Sequence, residues 1–178
     1  MIKKRNSLGF TLIEMLVSIA IIITTTTVVV AILASSFRGI TKSAVSEDVR
    51  QNGNGALSRM SRTIQFAESF QGISSDDLTY EPDCTSGGGG ETYKYLRVRT
   101  NSQIVKMSCT NADIMLGSSS LIDKSRVSVI EDSCSFTCIQ ESEIVSPVIG
   151  ISFGLFKAGT DNQNTENFFT TSVKMRNL

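Results

Sequence analysis

The longest apolar stretch of the chain comes almost at once. From Phe10 to Ala34 the only charged residue is Glu14. A helix over that run, rising about 1.5 Å per residue, reaches roughly 37 Å, against about 30 Å for the hydrocarbon core of a bilayer. The pattern predicts a tilted membrane-spanning helix. Beyond it, Val45, Val49, Ala56, Met60 and Ile64 recur at steps of four, seven, four and four, the spacing of one helical face. Polar and charged residues, among them Glu47, Asp48, Arg50, Arg59 and Arg62, fill the other faces. The helix is therefore expected to continue through residues 35–67 with a narrow apolar stripe. Gly53 and Gly55 interrupt that stretch, each at a cost of about 1 kcal/mol relative to Ala, and mark an expected bend. Thr24 to Thr27 lie inside the apolar run. Their hydroxyls are expected to bond preceding carbonyls and bend the helix.

From about Ser69 the pattern changes. Ser, Gly, Asp and Thr separate short runs rich in β-branched and aromatic residues. Tyr93–Thr100 and Ile104–Ser108 flank Asn101-Ser102-Gln103 and predict a hairpin. Further strands are expected at Arg126–Ile130, Ser135–Ile139, Val148–Phe156 and Phe168–Arg176. Within the third of these, Ile151, Phe153 and Leu155 alternate with Ser152, Gly154 and Phe156. Gly87 to Gly90 are expected to form a flexible loop (they lie outside the residues the structure describes); no Gly-Lys-Ser/Thr follows to make a phosphate cradle. Asp76-Asp77 marks a turn.

Charge refines this picture. The chain holds 17 basic and 17 acidic residues. Lys3, Lys4 and Arg5 precede the apolar run; setting them aside leaves 14 basic against 17 acidic. An acidic remainder argues against a nucleic-acid-binding domain. The basic cluster before the run, stronger than Arg38 and Lys42 after it, places the N-terminus inside and residues 35–178 outside the cytoplasm. An ordinary secretory signal would have an apolar region of about 7–15 residues and a small-residue cleavage site. This run is longer, and Ile32-Leu33-Ala34 does not supply such a site. The chain has no His, which removes the commonest general base and metal ligand, and no nucleophile–base pair stands out. An enzyme is not expected.

The stretch Lys3-Lys4-Arg5-Asn6-Ser7-Leu8-Gly9-Phe10-Thr11-Leu12-Ile13-Glu14 resembles the processing signal of type IV pilins and type II secretion pseudopilins: a basic leader, Gly, Phe, then Thr-Leu-Ile-Glu and an apolar helix. The resemblance implies cleavage after Gly9 by a membrane aspartyl prepilin peptidase and N-methylation of Phe10. It implies an α+β, pilin-like fold, with a long N-terminal helix, its first half transmembrane, packed on an antiparallel β-sheet head. The parts would be a leader (1–9), a transmembrane helix (10–34), its extracytoplasmic continuation (35–67) and a β-rich head (68–178). Helices of this family often loosen near Thr24–Thr27 at a Pro, which this sequence lacks. Glu14 carries a carboxylate into lipid at a cost of about 2.5–3.5 kcal/mol near the bilayer centre. Its partner would be the Phe10 ammonium of a neighbouring subunit, created only by cleavage. The expected partners are the peptidase, other pilins or pseudopilins in a helical filament, and an assembly platform in the membrane. The chain would begin as a single-pass inner-membrane protein and end in a filament at the cell surface or in the periplasm. A weaker resemblance, of Phe169-Thr170-Thr171-Ser172-Val173-Lys174-Met175-Arg176-Asn177 to the last strand of larger minor pilins, suggests a J- or W-like minor member. The alternative is an uncleaved, membrane-anchored extracytoplasmic binding or sensor protein.

All four cysteines, Cys84, Cys109, Cys134 and Cys138, follow the apolar run. An even count in an oxidising space reads as two disulfides with three pairings open. Cys84–Cys109, closing the hairpin region, and Cys134–Cys138 are the expected pair. Their spacing is irregular for a metal site and one residue too long for C-x-x-C. No cofactor is expected; the one Ca²⁺ candidate is the late oxygen-rich loop with Asp161, Asn164 and Glu166, which lacks the Gly and distant Glu of an EF-hand.

Overall fold

A single α-helix, α1 (Leu12–Gln65), runs 54 residues from the apolar segment into the region of the narrow stripe. The computed structural model describes residues 10–85, 91–142, 145–158 and 164–176. The chain divides into two units, Met1–Ser43 and Ala44–Leu178.

In the first unit, Leu12–Phe37 is long and apolar enough to cross a membrane, with mean hydropathy 2.6. The threonines behave as their chemistry predicts. The Thr24 hydroxyl donates to the carbonyls of Ala20 and Ile21 at 3.1 and 2.9 Å, and Thr25, Thr26 and Thr27 donate to Ile21, Ile22 and Thr24 at 2.9, 2.7 and 2.8 Å. Each polar hydrogen is thus satisfied within the helix, which is what a lipid environment demands. The helix runs unbroken through all four.

In the second unit the remaining turns of α1 meet two antiparallel sheets. The first has the order β1 (Ser69–Ser74), β2 (Tyr95–Thr100), β3 (Gln103–Cys109), β4 (Ile114–Leu116) and β5 (Ser119–Ser120). The expected hairpin is β2–β3, with Thr100 opposite Gln103, so the turn is the two residues Asn101 and Ser102. Both have positive φ, 49° and 62°, as in the tight turn that matches strand twist. The sequence pattern does not show β1, β4 or β5. β1 carries a bulge between Phe70 and Gly72. Gly72 has φ 129°, and a Cβ there would lie 2.9 Å from the Glu81 carbonyl oxygen, so the position requires glycine.

The second sheet is built on β8 (Val148–Lys157). β6 (Ser128–Val129) and β7 (Ser135–Ile139) pair with one side of it, and β9 (Thr165–Lys174) pairs with it along its whole length. Ile149, Ile151, Phe153 and Leu155 of β8 all point into the core, as the alternation predicts. Val49, Ala56, Met60 and Ile64 of α1 are fully buried among the same set. Burying each of the Val, Leu, Ile, Met and Phe side chains contributes about 1.5–3 kcal/mol. The helix also runs unbroken through Gly53 and Gly55. Gly53 has another role: a Cβ on it would lie 2.1 Å from Phe169 Cζ. The ring of Phe169 rests directly on the helix backbone, stacked on Phe153 with centroids 5.3 Å apart.

Candidate functional site

Two regions hold residues singled out by the sequence: the start of α1 and the cysteine framework of the head. At the start of α1, Gly9 lies outside the described residues, while Phe10 is exposed and Thr11 immediately precedes the helix. The Thr11 backbone N–H and hydroxyl both donate to Glu14 Oε2 at 3.0 Å, and the Glu14 N–H donates back to Thr11 Oγ1 at 3.3 Å. This is a reciprocal capping box, in which the first helical N–H groups that lack intrahelical acceptors find side-chain ones. The Thr-x-x-Glu spacing that signals it is visible in the sequence, inside the stretch that resembles a processing signal. Glu14 therefore has an intramolecular partner in the single chain. Ser18 adds a bond from its hydroxyl to the Glu14 carbonyl at 2.7 Å.

Within the second unit, α1 is fixed to the sheets by polar contacts to which the sequence does not point. Asp48 pairs with Lys157 at the end of β8 and with Arg126 at 3.1 Å. The Asp48 carboxyl is held below the usual carboxylate range, first by the hydrogen bond from Lys157. The Asp123 N–H donates to Asn52 Oδ1 at 2.8 Å, and the Arg176 N–H closes the far end on the Gln65 carbonyl at 3.1 Å. Buried Asp113 accepts from the Ile114 N–H and the Ser120 hydroxyl and pairs with Lys124 at 2.9 Å.

The segment after β1 folds back on the sheet. Ile73 and Glu81 pair through their backbones, and Asp76 accepts from the N–H groups of Leu78 and Thr79. Asp77 takes hydrogen bonds from Tyr80 and from Lys106 Nζ, the latter at 2.8 Å. It thereby pairs with both Arg97 of β2 and Lys106 of β3, which stand opposite each other. Burial and the Asp77 bond push the Tyr80 phenol up to about 12. The guanidinium of Arg97 lies over the Tyr80 ring, 3.7 Å from its centroid.

The cysteines form two disulfides, but not the expected ones. Cys84 pairs with Cys138 and Cys109 with Cys134, with Cα separations of 5.7 and 5.2 Å. The reason is strand geometry. Cys134 immediately precedes β7 and Cys138 lies within it, and four extended residues span about 13 Å, beyond the roughly 7 Å that a disulfide tolerates. Cys84 is drawn to β7 instead: Tyr93 pairs with Phe136, and the Cys84 N–H donates to Gln140 Oε1 at 3.1 Å. Cys109 meets Cys134 beside the reciprocal bonds between Asn111 and Asp132. One bridge ties the end of β3 to the residue before β7, and the other ties the loop after β1 to β7 itself. Of the Ca²⁺ candidates, Asp161 lies outside the described residues. Asn164 is exposed, and Glu166 is an exposed residue of β9 opposite Phe156. Among the described residues no three His, Cys, Asp or Glu side chains converge on a metal position.

A family model, the prokaryotic N-terminal methylation motif, matches residues 4–30, and this is the prepilin-type motif of type IV pilins and pseudopilins. No curated protein and no solved structure matches the chain.

Proposed function

We propose that this chain, which carries the prepilin-type motif, is a structural subunit, a minor pilin or pseudopilin, of a type IV pilus-like or type II secretion filament. The observation that carries the reading is continuity. From Leu12 onward the matched stretch lies in one apolar helix, which is followed by antiparallel sheets. Prepilin peptidase cuts after Gly9 and the new Phe10 amine is methylated. The N-terminus faces the cytoplasm and the disulfide-bonded head lies outside, where thiols oxidise. Before assembly the apolar helix holds the subunit in the inner membrane. In the filament the helices pack side by side, together with other pilins or pseudopilins delivered through the membrane platform.

Glu14 governs the transition between these states. In the lone subunit Thr11 supplies the carboxylate with two donors. On assembly the Phe10 ammonium of a neighbour, present only after cleavage, offers a full positive charge in a low-dielectric setting and fixes axial register. The test is mass spectrometry of the N-terminus of the mature protein. A methylated Phe10 is the expected first residue. A chain that still begins at Met1 would instead make it an uncleaved membrane-anchored binding or sensor protein. Gly9→Val is expected to block cutting, because a β-branched side chain does not fit where Gly lies extended in a protease site.

A further inference from the structure

A strand that ends a sheet leaves a row of N–H and carbonyl groups unpaired, and that row is a template on which another chain can pair. Elsewhere in the second unit such edges are blunted. β5 and β6 are two residues long. β1 carries its bulge, and the Glu81 backbone bridges Ile73 on the side away from β2. β7 is met on the side away from β8 by Tyr93, which exchanges both backbone bonds with Phe136, at 2.8 and 2.7 Å. β9 is different. Its ten residues pair with β8 in one unbroken register and with no other described strand. It holds no Pro, and its charged residues, Glu166 and Lys174, stand near its two ends. Among the described residues, no backbone group of Thr165–Lys174 bonds to anything but β8. Every second residue therefore turns an N–H and a carbonyl outward along the whole strand.

Two separate clefts open between this strand and α1. One, of about 580 Å³, lies by residues 167–169 and is lined from α1 by Glu47, Arg50, Gln51 and Asn54. Its charges are of both signs, and Gln51 Nε2 donates to Glu47 Oε1 at 3.1 Å, so it suits an uncharged polar side chain. The other, of about 410 Å³, lies by residues 172–176 and is lined from α1 by Ser61 and Gln65. Its charged residues are Lys174 and Arg176. Neither has a carboxylate partner among the described residues, so this cleft suits an acid. From Phe168 to Lys174 is a step of six, about 20 Å of strand. The step is even, so side chains on one face of an added strand reach both clefts.

We propose that β9 and these clefts form a strand-addition groove for an extended segment of a different polypeptide. The segment pairs antiparallel with β9. It places an acidic side chain in the cleft by Lys174 and Arg176 and, six residues later, an uncharged polar side chain in the cleft by Asn54. The backbone row fixes the class of occupant, because an extended peptide presents donors and acceptors at the matching spacing. The clefts then fix which side chains it carries. A second copy does not meet these terms. Two β9 edges pairing antiparallel would run the two copies of α1 in opposite directions, and their apolar segments could not enter one membrane. The groove goes beyond the filament reading and is independent of cleavage at Gly9.

The experiment uses the full-length chain in detergent and a fluorescent synthetic peptide, Thr-Val-Asp-Val-Thr-Thr-Thr-Val-Asn-Thr. The expected result is saturable binding by anisotropy, with hydrogen exchange slowed at alternate amides of Thr165–Lys174. Two further peptides carry backbone N-methyl groups on every second residue, in opposite phase. One phase blocks the donors that face β9 and should lose about tenfold or more in affinity, while the other should bind as the parent does. Changing Asp to Lys in the peptide should also cost about tenfold, and Lys174→Glu with Arg176→Glu in the chain should recover that loss, which also shows the variant to be folded. No saturable binding, equal loss for both methylated peptides, or slowed exchange away from β9 would overturn the proposal. So would protection of the β9 amides that rises with protein concentration in the absence of peptide, the mark of a second copy. A mature chain that begins at Met1 would overturn the filament reading and leave the groove standing.

Discussion

Adding one methyl group at Gly53 tests how the head grips its helix. In an exposed helix Gly→Ala is stabilising by about 1 kcal/mol, because Ala loses less backbone entropy on folding. At Gly53 the sign should reverse. The new Cβ would stand 2.1, 2.3 and 2.5 Å from three carbons of the Phe169 ring, where carbon atoms prefer about 3.5–4.0 Å. The ring must retreat by more than an ångström. It is 9% exposed and stacked on fully buried Phe153, so retreat disturbs the strand or the stack. Such overpacking costs about 1–3 kcal/mol, occasionally more. After the propensity gain of about 1 kcal/mol, Gly53→Ala should be destabilised by up to about 2 kcal/mol, a fall of up to about 8 °C in midpoint for a head of this size. Gly55 is the internal control: two residues along the same helix, its Cβ would meet nothing within 4 Å. Gly55→Ala should keep the midpoint or raise it. The assay is thermal unfolding of the full chain in detergent, followed by near-ultraviolet circular dichroism with disulfides intact. Phe169→Leu in the Gly53→Ala background should recover part of the loss, since residues in contact do not add independently. If Gly53→Ala proved as stable as Gly55→Ala, Phe169 would not be seated on the helix and the reasoning would fail.

Three further outcomes follow from the same contacts. Peptide mapping without reduction should find Cys84 joined to Cys138 and Cys109 to Cys134, and loss of either bridge should cost about 2–5 kcal/mol; a Cys134–Cys138 peptide would refute the strand geometry. Acid should destabilise the head. Asp48, held low by Lys157, and Asp77, held low by Lys106 and Tyr80, both have folded values under the ordinary 3.8, so the unfolded chain binds more protons in that window. Stability should be level from pH 7 to about 5 and fall below about 4, and Asp48→Asn should flatten the fall; a midpoint that rises on acidification contradicts the pairing. Finally, Glu14→Gln and Glu14→Ala should both be cleaved normally and enter filaments poorly, as expected when a charge partner is lost at a cost of about 3–5 kcal/mol. Normal incorporation of either, followed separately from cleavage, would leave Glu14 as a helix cap only.

What is legible in the sequence is whatever rests on period and composition. The 45–64 stripe and the alternation in β8 give one-dimensional patterns that burial then matches, and the apolar run gives one that the helix over Leu12–Phe37 matches by length and hydropathy. β4 and β5, three and two residues long, are too short to show a period, and β1 is broken by its bulge. Gly53 misleads because propensity assigns one meaning to a helical glycine, whereas its requirement comes from a ring 116 positions away in the chain. Long-range pairs such as Asp48 with Lys157 leave no local trace either. The disulfides are a different case. A strand over Ser135–Ile139 and a bridge between Cys134 and Cys138 are mutually exclusive, because an extended backbone holds those two residues too far apart to bond. The strand is written plainly in the alternation of Phe136 and Cys138 with Ser135, Thr137 and Ile139, so that pairing is one the sequence itself rules out.

Thr11 and Glu14 bear most directly on how one segment serves two environments. A carboxylate near the start of a membrane helix looks costly when counted alone, and that cost invites a search for a distant partner. The capping box changes the starting point. Thr11 gives Glu14 two donors and receives one bond in return, and a negative charge at a helix N-terminus is stabilised by the helix dipole as well. The single subunit can therefore remain in a membrane without a partner for this acid. A neighbour's ammonium must then compete with hydrogen bonds already made, which it does by adding a full charge where the dielectric is low. The exchange is favourable only if that ammonium exists. Under the proposed function it exists only after cleavage at Gly9, so an uncut chain would keep its own cap and have nothing to offer in return. Processing and assembly would then be coupled through a single oxygen of a single side chain.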